Sequence, residues 1–215
     1  MNGMFLLSTT STGSNLNGIL TIVALLAFIG LVMGLNIRFL KKLNVLAPYL
    51  MSDPDTYIHE MELILKKFVP KGYRSMLRIN VAIAHMQKRD YTSALSVIKT
   101  ISPGRMQKNS VGIYYVVLAN IYIHLNETQN AMTLIQSSSK KLQKLPVSGN
   151  LPMFNSIVAI FYAMETGNWT QAKELLDYAI ANWTEPMPGV NFEPLQQRMD
   201  AYLAEHPLEE PTEEA

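Results

Sequence analysis

Three stretches of this chain align with one another: VAIAHMQKRDYTSAL (Val81–Leu95), VLANIYIHLNETQNAM (Val117–Met132) and AIFYAMETGNWTQAK (Ala159–Lys173). In each, apolar residues recur at helical spacing, a polar turn interrupts them, and a second helix begins. The turns are Lys88-Arg89-Asp90, Asn126-Glu127 and Gly167-Asn168, followed by the pairs Tyr91/Ala94, Thr128/Ala131 and Trp169/Ala172. Four residues past each alanine stands Ile98, Ile135 or Leu176, and the alanines are 37 and 41 residues apart. A two-helix unit cannot bury its apolar face alone, so a chain that repeats one must stack the copies. The alanines then mark where helix backbones come closest.

No stretch alternates long enough to suggest a sheet. Breaker clusters VPKG (69–72), SPGR (102–105), PVSGNLP (146–152) and EPMPG (185–189) punctuate the helices. The expected fold class is all-α, with a solenoid of α-α hairpins over residues 53–206. Its N-terminal end is covered by a helix capped by Asp53, with Ile58, Met61, Leu65 and Phe68 on one stripe. The helix Phe192–His206, with Leu195, Met199 and Tyr202 on one stripe, covers the other end. Residues 207–215 (PLEEPTEEA) are too acidic and too poor in apolar residues to fold, and read as a disordered tail.

The pattern resembles the tetratricopeptide repeat family, whose unit is a helix–turn–helix with a small–small–aromatic pattern in its first helix. Ala82, Ala119 and Ile160 match the small position, and Tyr122 matches the aromatic that follows it, whereas His85 and Ala163 depart from it. Gly167 and Trp169 fit the turn, and Ala94, Ala131 and Ala172 fit the small position of the second helix. The repeat-ending proline is displaced (Pro103, Pro146, Pro186), and the likeness covers Arg74–Glu185. The resemblance implies a concave groove lined by the first helices: Ile79, Ile83 and Met86, then Val116, Asn120 and His124, then Ile157, Phe161 and Glu165. A clamp for a partner's C-terminal carboxylate is not expected, because Ile79, Val117 and Val158 stand where it needs polar or basic residues. An apolar groove suits an amphipathic helix or an extended peptide. The competing expectation is that the capping helices bury some of these residues.

The N-terminus carries a different signal. Residues 1–37 hold no charged side chain, and LNGILTIVALLAFIGLVMGL (Leu16–Leu35) is about one bilayer long as a helix. A cleaved signal peptide would want a basic n-region and a shorter apolar run. The expectation is therefore a short uncharged segment (1–15), a single membrane span (16–37) and a basic juxtamembrane linker (38–52). Arg38, Lys41 and Lys42 follow the span, which places the C-terminal domain in the cytoplasm by the positive-inside rule. Gly30 and Gly34, one turn apart, offer a face for close helix contact and a route to a homodimer.

No catalytic or cofactor motif is present. There is no cysteine, and His59, His85, His124 and His206 are scattered over different helices, so neither a metal site nor a cofactor is expected. Residues 38–108 hold 13 Lys and Arg against 5 Asp and Glu, a balance of +8; residues 109–215 hold 5 against 12, a balance of −7. The basic half adjoins the span, so an anionic leaflet explains it more directly than nucleic acid does. Sequons at Asn126, Asn168 and Asn182 lie on the expected cytoplasmic side and matter only if the topology is inverted. The functional expectation is a non-enzymatic adaptor or scaffold that binds membrane-associated proteins through the groove. The alternative is an integral structural or assembly subunit of a larger membrane complex.

Overall fold

The computed structural model describes residues 34, 37–67, 69, 71–144, 151–185 and 187–206. Among them every regular element is a helix. The chain divides into two compact units at Ala47/Pro48. In the first unit, residues 38–46 are helical where a linker was expected. Ile37, Leu40 and Val45 are exposed there. The expected span 16–37 lies outside the described residues except for Gly34 and Ile37, as do residues 1–15 and the tail 207–215; Gly30 is among those outside. A Cβ added at Gly34 would meet nothing within 4 Å. Among the described residues no helix is long and apolar enough to cross a membrane.

The second unit consists of α1 (Tyr49–Ser52), α2 (Pro54–Lys66), α3 (Lys71–Gln87), α4 (Tyr91–Lys99), α5 (Lys108–His124), α6 (Thr128–Leu142), α7 (Leu151–Glu165), α8 (Trp169–Asn182) and α9 (Glu193–Glu205). A 3-10 turn, Pro103–Arg105, joins α4 to α5. The three aligned stretches form the hairpins α3–α4, α5–α6 and α7–α8. Helix α5 packs between α3 and α7, α2 packs on α3, and α9 packs on α7 and α8.

The hairpin turns repeat in detail. Arg89 (φ 59°), Asn126 (φ 56°) and Gly167 (φ 77°) all take the left-handed conformation. Their amides donate to Met86, Ile123 and Met164 carbonyls at 2.9, 3.1 and 3.1 Å. The next amides, of Asp90, Glu127 and Asn168, donate to His85, Tyr122 and Ala163, each at 2.9 Å. This paired pattern is the Schellman ending, which satisfies carbonyls that a helix end would otherwise leave open. Asp90 and Asn168 then cap the second helix by accepting the amides of Ser93 and Gln171 at 3.0 and 3.2 Å. The bonds from Ser93 hold the Asp90 carboxyl below its ordinary pKa. Glu127, one methylene longer than aspartate, makes no such cap bond.

Ala94, Ala131 and Ala172 have no exposed surface, and Ile98, Ile135 and Leu176 are buried beside them. In α2 the buried stripe is Tyr57, Met61 and Ile64, one residue out of phase with the expected one; Ile58 and Leu65 are only half-buried and Phe68 lies outside the described residues. Adjacent apolar residues at 57–58 and 64–65 allow either phase, and the structure buries the larger Tyr57. Burial pushes its hydroxyl pKa up to about 12, against a hydrogen bond from Asn80 that acts the other way.

Candidate functional site

The nine groove positions lie on α3, α5 and α7, but they do not line an open groove. Ile79, Met86, Val116, Asn120, Ile157 and Phe161 are buried, and Ile83, His124 and Glu165 are half-buried. Ile79, Val116 and Ile157 belong to the apolar cluster that joins the three first helices. Asn120 is equally structural. Its side-chain amide donates to the Val116 carbonyl at 2.8 Å and to the Phe154 carbonyl of α7 at 3.0 Å. Its oxygen is buried with no hydrogen-bond partner among the described residues.

The chain's own residues 187–206 supply the remaining cover and touch all three helices. Met187-Pro188-Gly189-Val190 forms a turn closed by a Val190-to-Met187 bond of 3.1 Å, with Gly189 at φ 72°. Proline before a positive-φ glycine is the arrangement of a type II turn. The turn sits on the C-terminal end of α3. The Gly189 amide donates to Gln87 Oε1 at 2.9 Å, and a Cβ there would stand 3.2 Å from both Ile83 Cγ2 and the Ile83 carbonyl oxygen. On α5, His124 Nε2 lies 3.0 Å from the Asn191 carbonyl, and Tyr91 stacks on the His124 ring at 4.5 Å. On α7, Arg198 of α9 pairs with Glu165 and lies over the Phe161 ring. Leu195 and Met199 enter the core, and Tyr202 stacks on Trp169 with ring centroids 3.9 Å apart. Arg89 and Glu193 add an exposed ion pair at 3.0 Å.

Comparison with protein-family models, with curated proteins and with solved structures gives no match.

His124 stands on α5, the middle one of the three first helices. Its Nδ1 is 2.8 Å from the Asn120 carbonyl, so both ring nitrogens face carbonyl oxygens. A neutral imidazole can donate to only one of them. Burial nonetheless pushes its pKa below the ordinary value, and the two carbonyls oppose that shift. Neutral His124 therefore prevails at pH 7. His85 stands 3.5 Å from Asp90 across its own turn. Among the described residues no group of three His, Asp or Glu could hold a metal ion.

The sequence reading missed Gln87, Gly189, Asn191 and Arg198. The Pro-Gly pair registered only as a helix breaker, and nothing local to it encodes where the turn docks. A second concavity, lined by Ile135, Leu142, Val158, Ala159 and Tyr162, opens between α6 and α7.

Proposed function

We propose that this chain is a membrane-tethered, TPR-like adaptor that works by binding rather than catalysis, with its C-terminal segment acting as an internal occupant of the groove. One observation carries the reading: a non-helical turn followed by a helix, residues 187–206, lies along the ends of the first helices and touches each of the three. A surface that takes this segment has the shape and chemistry to take an extended or helical segment of a partner. Partner and C-terminal segment compete for one site, so the groove's apparent affinity is reduced by the fraction of molecules in which it is closed. The tether reading rests on the uncharged apolar N-terminus and on Ile37, Leu40 and Val45, exposed beside Arg38, Lys41 and Lys42. That mixture suits a cytoplasmic membrane interface.

Variants at Asn120 or Phe161 would report folding rather than binding, because both are buried. The test is proximity labelling at the membrane with wild type and Gly189→Ala, alongside competition by a synthetic peptide of residues 187–205. The adaptor reading predicts that the glycine variant increases partner recovery and that the peptide decreases it. A partner set indifferent to both would refute it.

The burial of six of the nine groove positions favours the second reading, a structural subunit of a membrane complex. Extraction in mild detergent separates the two: a stoichiometric complex that survives supports the subunit, and a free chain supports the adaptor.

A further inference from the structure

The first hairpin carries a cavity of about 590 Å³ at the end away from the docked C-terminal segment, lined by Arg74, Ser75, Arg78, Thr100, Ser102 and Arg105. Arg74, Ser75 and Arg78 stand on the first turns of α3, at the positive end of its dipole. Thr100 and Ser102 follow α4, and Arg105 ends the 3-10 turn. Arg78 is held in place by donating to the Thr100 carbonyl at 3.0 Å.

Three arginines line this cavity, and among the described residues no carboxylate does. The other two arginines of this unit are both ion-paired, Arg89 with Glu193 and Arg198 with Glu165. Between Glu62 and Glu127 the sequence holds one acidic residue, Asp90, and that residue caps α4 at the opposite end of the hairpin. Like charges around one concavity repel one another and concentrate positive potential within it, which an entering anion relieves. The planar donor fork of arginine matches phosphate oxygens in pairs. A single carboxylate would engage only part of this donor set. Three guanidinium groups with the Ser75 and Ser102 hydroxyls match a phosphomonoester, which carries close to two charges and three acceptor oxygens.

We propose that this cavity is a binding site for a phosphomonoester group, presented by a lipid headgroup or as a soluble phosphate. The site goes beyond the adaptor reading and does not depend on it.

The test is calorimetric titration of the full chain in neutral detergent with dioctanoyl phosphatidic acid, inorganic phosphate and dioctanoyl phosphatidylcholine. Arg74→Gln/Arg105→Gln removes two exposed arginines that have no carboxylate partner among the described residues. Lys140→Gln/Lys144→Gln removes the same charge from exposed positions at the end of α6. The site predicts saturable binding of phosphatidic acid by wild type, weakened about tenfold or more by the arginine pair and unchanged by the lysine pair. Binding of inorganic phosphate as well assigns a soluble ligand; binding of phosphatidic acid alone assigns a lipid headgroup. No binding of either probe by wild type, equal weakening by both variant pairs, or equal binding of phosphatidylcholine would overturn the proposal.

Discussion

Substitution of Gly189 by alanine probes the seat of the C-terminal segment on α3. Two costs arise at this position. The backbone sits at φ 72°, where a Cβ costs about 1 kcal/mol. The new methyl would also lie 3.2 Å from Ile83 Cγ2 and from the Ile83 carbonyl oxygen, and 3.3 Å from Met86 Cβ. The carbonyl belongs to a helix backbone and cannot swing aside, so overpacking adds about 1–3 kcal/mol. The total is about 2–4 kcal/mol. If the turn lifts instead, it gives up the Gly189–Gln87 bond, about 1 kcal/mol, together with the His124–Asn191 contact and the apolar contact beneath them. Gly167→Ala is the matched control. It has the same backbone strain (φ 77°) but nothing within 4 Å of the added carbon, so about 1 kcal/mol is expected. Gly104, with open space and no positive φ, should tolerate alanine without measurable loss. Urea unfolding of the full chain in neutral detergent, followed by far-UV circular dichroism, gives the three values. A cost for Gly189→Ala no larger than that for Gly167→Ala would refute the seating of this turn against α3.

Three further outcomes follow from the same structure. Ala131→Leu, at a position with no exposed surface, should force α5 and α6 apart and cost about 1–3 kcal/mol in the same unfolding assay; a neutral result would contradict the close approach. Asn120→Ala leaves the Phe154 carbonyl without its 3.0 Å donor and should cost about 2 kcal/mol, with a thermal melt as the check. Because His124 has a pKa below its ordinary 6.5 when folded, the unfolded chain takes up its proton first. Stability is therefore full above that value and falls on acidification from pH 7 to 5, by at most about 1.4 kcal/mol per pH unit. His124→Gln should remove that part of the slope, while the loss tied to Asp90, whose pKa lies below its ordinary 3.8, should persist at lower pH.

The hairpins were legible because each rests on local chemistry repeated three times. The turn residues, the cap at Asp90 or Asn168 and the small residue three or four positions later all lie within one short window. The helical class and the burial of Ala94, Ala131 and Ala172 follow from that window alone. The state of the groove was not legible, because it depends on contacts between residues about 30 to 100 positions apart. Gln87 meets Gly189 and His124 meets Asn191 across such distances, and no pattern in either partner announces the other. Asn120 misled for a related reason. A polar side chain on a first helix reads as a ligand contact, yet here it ties α5 to a carbonyl of α7. The phase of α2 was ambiguous because two apolar rows run side by side on that helix.

Closure of the groove depends on the contact between the C-terminal segment and the first helices, and nuclear Overhauser measurements on the full chain test that contact most directly. With methyl-labelled isoleucine and methionine, the Ile83 γ2 methyl and Met86 should show cross-peaks to the Gly189 α protons, and the His124 ring should show them to Tyr91. Absence of the Gly189 cross-peaks, with random-coil shifts for residues 187–192, would contradict the closed groove and leave Ile83, Met86 and His124 uncovered by that turn.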